Sequence, residues 1–93
     1  SESPEEETDN REVTFTHVVV PGNSPLIGQT SSSLSIRNKN NCLVVGIERA
    51  DGTFHQPDGQ TCFEAHDVIW LVGEPDNIKQ LIQDKIENHI QHT

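Results

Sequence analysis

The sequence predicts a small α+β domain: a strand, a short helix, three or four mainly antiparallel strands and a long C-terminal helix. Three observations carry that expectation. Residues 42–49 (CLVVGIER) and 68–73 (VIWLVG) are apolar, β-branched runs of strand length. Asp51-Gly52 between residues 42–49 and TFHQP is a strong hairpin signal. Near the end, Ile78, Leu81, Ile82, Lys85, Ile86, His89 and Ile90 recur at three- and four-residue steps, one stripe of a helix lying on a sheet.

The chain has 93 residues with 6 basic and 15 acidic side chains, a formal net charge of −9. Glu2, Glu5, Glu6, Glu7, Asp9 and Glu12 crowd the start, which lacks apolar residues, so residues 1–11 read as a disordered acidic leader or linker and residues 12–93 as the domain. Residues 12–20 (EVTFTHVVV) form the first strand, with Val13, Phe15, His17 and Val19 on one face. Pro21-Gly22-Asn23 ends it. A short helix is expected within Leu26–Ile36, opened by Ser24 as N-cap and Pro25 in its first turn, with Gly28 allowing close approach to the sheet. RNKNN reads as a loop, TFHQP as a strand pairing back antiparallel with Pro57 at its end, and 58–67 as a loop with a brief extended piece at 61–63. Pro75-Asp76-Asn77 caps the closing helix.

Several chemistries are excluded. GNSPLIGQT comes after a strand, as a phosphate loop does. Its glycine spacing is one residue too long, however, Gln29 stands where a lysine belongs, and Pro25 removes a backbone donor. Ser31-Ser32-Ser33 lies in no nucleophile elbow, and the paired carboxylates sit in the leader, so no enzyme is expected. Cys42 and Cys62 have neither metal-site nor disulfide-scaffold spacing and read as free thiols. His89 and His92 are three apart but lack further ligands, so no metal site is assigned. The acidic balance argues against a nucleic-acid partner. No run of residues has the length and apolarity of a membrane span. Arg49 remains, ending a buried strand: it either pairs with Glu48, Glu64 or Asp67, or anchors an anionic ligand.

SPLIGQT, then CLVVGIER and its turn, then the proline of QP, then HDVIWLVGEPDNIKQL, resemble in that order the TrkA-C domain, the C-terminal regulator-of-potassium-conductance domain. The resemblance covers about residues 13–88. His66 stands where the family has glycine before the aspartate, which requires a left-handed backbone there or a different turn. Gln29 replaces the usual basic residue. The resemblance implies a non-catalytic, cytosolic, ligand-sensing domain of a bacterial monovalent cation transporter at the inner membrane, with a cation:proton antiporter preferred over a potassium channel or uptake system. It also implies a homodimer, attachment to or association with an upstream transmembrane part, and no cofactor beyond a small effector such as a cyclic dinucleotide. The ligand positions it implies are Ile47, Arg49 and Pro57, with His55 and His66 as neighbours. The competing expectation is a structural dimerisation module that binds no ligand.

Overall fold

The computed structural model describes residues 12–88. The acidic leader, His89 and His92 lie outside the described residues. Strand β1 is Thr14–Val19, followed by helices α1 (Ser31–Leu34) and α2 (Ile36–Asn40). Strands β2 (Leu43–Glu48), β3 (Phe54–His55) and β4 (Val68–Gly73) come next, then helix α3 (Pro75–Leu81), which continues as a π-helical turn over Ile82–Ile86. The sheet has the order β1-β4-β2-β3, and every neighbouring pair is antiparallel.

The core lies on one side of this sheet. Ile47, Ile69 and Leu71 point inward from β2 and β4, and Leu26, Phe63 and Leu81 meet them from the loops and α3. Full burial of each such side chain contributes roughly 1.5–3 kcal/mol. The alternation expected in β1 is present, but its apolar face is the open one: Phe15 and Val19 are exposed, while Thr14, Thr16 and Val18 are half-buried toward α3. Period-two patterning fixes which residues share a face and leaves open which face is covered.

The short helix expected within Leu26–Ile36 is present, but its opening at Ser24-Pro25 needs correcting. Ser24 Oγ does accept the Leu26 N–H at 3.0 Å, as a cap would. The chain then turns instead of entering a helix, because Gly28 has φ +84° and its N–H donates to Phe63 O at 2.8 Å, docking the loop on the 61–63 segment. A Cβ at Gly28 meets nothing within 4 Å, so the glycine serves its backbone conformation and not a close approach to the sheet. The helix starts later, at Thr30, whose Oγ1 accepts the Ser33 N–H while Ser33 Oγ accepts the Thr30 N–H, each at 3.0 Å. This reciprocal cap offsets the poor helix propensity of the serines. Ser35 and Asn41, both left-handed, then separate α1 from α2 and α2 from β2, so the first four residues of RNKNN are helical and not a loop.

Lys85 fastens the closing helix to these short ones: its Nζ donates to Leu34 O at 2.8 Å and to Asn40 Oδ1. The Glu87 N–H bonds to Ile82 O, five residues back, and this wide turn brings Ile86 into the core while Ile82 is half-buried. The brief extended piece at 61–63 is present as a bridge between Thr30 and Cys62.

The two thiols are in different environments. Cys42 is buried, which raises its pKa, and Cys62 is exposed. A native chain treated with a thiol-specific chromogenic reagent at neutral pH is therefore expected to react fast at one site, with the second reacting only in denaturant. Two fast equivalents would contradict the buried placement of Cys42.

Candidate functional site

Arg49 is the first residue to trace because it leaves β2 on the inner side of the sheet. Its N–H donates to Thr53 O at 2.8 Å and its carbonyl accepts the Gly52 N–H at 2.9 Å, closing the hairpin. Gly52 has φ +90°, the left-handed conformation expected of an Asp-Gly turn. Asp51 Oδ1 accepts both the N–H and the hydroxyl of Thr53, at 2.9 and 2.7 Å, and these bonds hold its carboxyl below the usual carboxylate range. With the hairpin fixed, the guanidinium reaches across to the 58–67 loop. Nη1 donates to Asp67 Oδ2 at 2.7 Å and to Cys62 O at 3.0 Å, with Glu64 Oε2 at 3.6 Å.

Asp67 is fully buried. Its Oδ2 also accepts the Glu64 N–H at 2.8 Å, whereas Oδ1 has no hydrogen-bond partner among the described residues. His66 occupies the left-handed region with φ 69°, which places Asp67 under the guanidinium. The His66 N–H donates to Val20 O and the Val20 N–H to Asp67 O, extending the β1–β4 ladder beyond the strands. Of the two expectations for Arg49, the structure shows the ion pair.

The other expected positions scatter. Ile47 is wholly buried, so a ligand cannot touch it within one chain. His55 shares with Arg49, Asp51, Thr53 and Glu64 a shallow depression of about 570 Å³, where its Nε2 lies 3.2 Å from Thr53 Oγ1. That depression carries two carboxylates, and its arginine is already paired, which disfavours an anion there. His66 lies beside Gly22, where a Cβ would come within 3.2 Å of its ring. Pro57 lies in a separate groove.

That groove, about 440 Å³, runs between the α1–α2 corner, the start of β2 and the 57–59 loop. Ser31, Ser32, Ser35 and Arg37 line it from the helices, Leu43 and Val44 from β2, and Pro57 and Asp58 from the loop. β3 pairs with β2 only at Ile47 and Glu48, so the first half of β2 has an edge that no strand covers among the described residues. Asp58 is engaged within its own loop, accepting the Gln60 N–H at 2.9 Å and the Thr61 hydroxyl at 3.1 Å, which lowers its pKa. The groove thus offers one guanidinium, hydroxyl donors and an apolar floor. Arg37 and the serines escape a reading of the sequence because RNKNN has the composition of a loop. The signal that points to them is Thr30 with Ser33, a capping pair without the usual Glu or Gln. Among the described residues no three His, Cys, Asp or Glu side chains cluster as metal ligands would.

A sequence profile of the TrkA-C domain matches residues 15–84. The chain belongs to the TrkA-C domain family. No curated protein sequence matches it. Among solved structures, the RCK C domain of the potassium transport protein KtrA in complex with cyclic diadenosine monophosphate (c-di-AMP) superimposes with TM-score 0.69 at 18% identity, over 78% of this chain and 84% of that one. The RCK_C domain dimer of S. agalactiae BusR in complex with c-di-AMP gives 0.68 at 22%, over 76% and 88%. BusR in complex with its busAB-promoter DNA gives 0.67 at 23%, over 74% of this chain. The TrkA-C chain spans about a third of that BusR, 34%. At these identities the likeness establishes the fold alone, an antiparallel four-stranded sheet with helices. No helix among the described residues is long and apolar enough to cross a membrane.

One expectation is overturned. The acidic balance argues against a nucleic-acid partner, yet a protein containing this fold is bound to promoter DNA. The charge of one domain constrains only the surface of that domain, and DNA affinity can reside in any other part of a longer chain.

The buried pair sets a clear expectation for mutagenesis. Arg49→Ala leaves the Asp67 carboxylate buried without its cationic partner, and removing one member of such a pair costs about 3 kcal/mol. A urea melt should show the midpoint falling with an unchanged slope. A midpoint within error of the parent would mean the pair is not structural.

Proposed function

We propose that this TrkA-C domain is the ligand-sensing regulatory domain of a monovalent cation transporter, a cation:proton antiporter, and that it works as a pair of copies. The ligand is an anionic cyclic dinucleotide, seated in the groove between the α1–α2 corner and β2. The groove itself carries the proposal: Arg37 for a phosphate, serine hydroxyls as donors, and Leu43, Val44 and Pro57 as an apolar bed for a base. KtrA and BusR domains of this fold in complex with c-di-AMP support that ligand class. Arg49, the position implied by the family resemblance, then acts indirectly, by holding the 58–67 loop that brings Pro57 and Asp58 to the groove. His55 and His66 take no contact role in this reading.

The mechanism rests on linkage. A ligand that binds one arrangement of the paired domains better than another shifts the population toward it, by no more than its differential affinity.

The test is a melting experiment with c-di-AMP. Ligand at about 100 times its dissociation constant stabilises by about 2.7 kcal/mol, a shift of several degrees for a domain of this size. Arg37→Ala is expected to remove the shift while leaving the unliganded melt unchanged, because Arg37 is exposed. No shift for the parent chain sinks the sensing role and leaves a structural pairing module. The transporter assignment has its own readout: deleting the gene for the whole protein should impair growth at high sodium or potassium and alkaline pH, and normal growth there would count against an antiporter.

A further inference from the structure

The two edges of the sheet differ in how they are protected. On one side the edge is broken: β3 has only two residues, and β2 behind it shifts register between Val44 and Gly46. Such short strands and bulges keep an edge from pairing with foreign strands. β1 is the other edge and has neither. Over Thr14–Val19 it keeps register with β4 without a bulge, and it contains no proline, glycine, lysine or carboxylate. Trp70 of β4 holds it flat, with the Phe15 ring stacked at 5.4 Å and the His17 ring at 4.6 Å.

The direction of the backbone groups on that edge follows from the ladder. The Val20 N–H donates to Asp67 O and its carbonyl accepts the His66 N–H, so Val20 turns both groups toward β4. Alternation turns those of Val18, Thr16 and Thr14 the same way. Phe15, His17 and Val19 direct theirs outward, where no strand pairs among the described residues. Beside this edge runs a groove of about 420 Å³ between β1 and α3. Thr14 and Thr16 line it from the strand, and Pro75, Ile78 and Ile82 from the helix. The threonines are short where a covered strand would carry larger apolar residues, and Ile82, at the start of the π-helical turn, is half-buried.

We propose that β1 is a docking edge for an extended segment of another protein, apolar at its centre and basic at its ends. The segment adds to the sheet as one more strand. Its N–H and C=O groups meet those of Phe15, His17 and Val19, and its inward side chains fill the groove against Ile78 and Ile82. Charge selects the ends of the segment and sets it above a second copy. Register with Gly73 puts the start of α3 near Thr14, so Glu12 and Asp76 stand at one end of the edge. Asn88 Nδ2 donates to Asn23 O at 2.7 Å, which puts Glu87 at the other end. Lys79 lines the groove between them. Basic residues are thus favoured at the ends and disfavoured at the centre, whereas a second copy brings its own −9 toward the same carboxylates. The edge lies across the sheet from the Arg37 groove, so this inference does not depend on the ligand reading.

NMR of the whole chain without c-di-AMP, titrated with the end-blocked peptide KKVTVTVKK, tests the edge. Bound peptide is expected to slow amide exchange at Phe15, His17 and Val19 by at least about tenfold and to leave Thr14, Thr16 and Val18, already bonded to β4, unchanged. EEVTVTVEE should bind at least about tenfold more weakly at low salt. KKVTPTVKK, which lacks a central donor, should bind more weakly too. His17→Pro removes an outward N–H and no ladder bond, so it should fold and lose the peptide. Thr16→Phe fills the groove while leaving every edge N–H in place, and it should weaken binding by at least about tenfold even if the proline variant does not fold. No binding by millimolar KKVTVTVKK, or protection that does not alternate along β1, overturns the proposal. So does a folded Thr16→Phe that binds like the parent. Slow exchange at Phe15, His17 and Val19 in the peptide-free chain that speeds up on dilution would give the edge to a second copy instead. Equal binding of the glutamate-flanked peptide would remove the basic ends from the partner's description.

Discussion

The ion pair between Arg49 and Asp67 is the constraint on which the rest of the domain depends. It joins the end of β2 to the start of β4 across eighteen residues of chain, at a point where the sheet has no further strand to do so. Around it the loop finds its backbone partners: Cys62 gives its carbonyl to the guanidinium and Glu64 its N–H to the carboxylate. Neither charge is easily buried alone, so each fixes the position of the other. The left-handed backbone at His66 belongs to the same arrangement, because it turns Asp67 beneath Arg49 while keeping the ladder to Val20 intact. Asp67 Oδ1 is left without a partner among the described residues, which raises the cost of the site and makes the single bond to Arg49 more consequential.

A second constraint is that a four-stranded sheet has two faces and the helices among the described residues cover one. The inner face is closed by α3 and by the loops from 20–36 and 58–67, fastened through Lys85 and through the Gly28–Phe63 contact. The outer face keeps Phe15 and His17 against Trp70 and Phe54 over Gly46. Burial on the inner side makes the domain fold, while the outer side leaves Phe15, Val19 and Phe54 exposed. The two demands fall on alternate residues of the same strands, so β1 can serve both with threonines turned inward and aromatic residues turned outward.

The elements that could be read from sequence are those whose signal is local and long. β4 spans the apolar run 68–73 as expected, and β2 and β1 lie within one or two residues of theirs, because β-branched runs bounded by turn residues have few other uses. α1 and α2 were not legible in the same way. Their residues are poor helix formers, and what holds them is a Thr30–Ser33 cap, two left-handed residues and a lysine from the far end of the chain. Tertiary contacts override propensity in helices this short. At the candidate site, the order of motifs identified the family, but residue roles did not come with it. Ile47 and Arg49 lie two apart on a strand and so share the inner face, where the first is core and the second completes the buried pair. A pattern common to a fold records what the fold needs as readily as what a ligand needs.

The groove and the open face meet at β2. Leu43 belongs to both: it lines the groove beside Arg37 and Pro57, and it stands 44% exposed on the outer face in register with Val72. The β-bulge between Val44 and Gly46 lies just further along the same strand, at the point where Phe54 crosses over Gly46. A bulge is where a strand can change its twist with least disturbance to its neighbours. The Leu43–Val44 half of β2 is thus the less restrained one, having no partner strand on one side among the described residues and a bulge at its end. The other end of β2 is tied to the start of β4 by the Arg49–Asp67 pair.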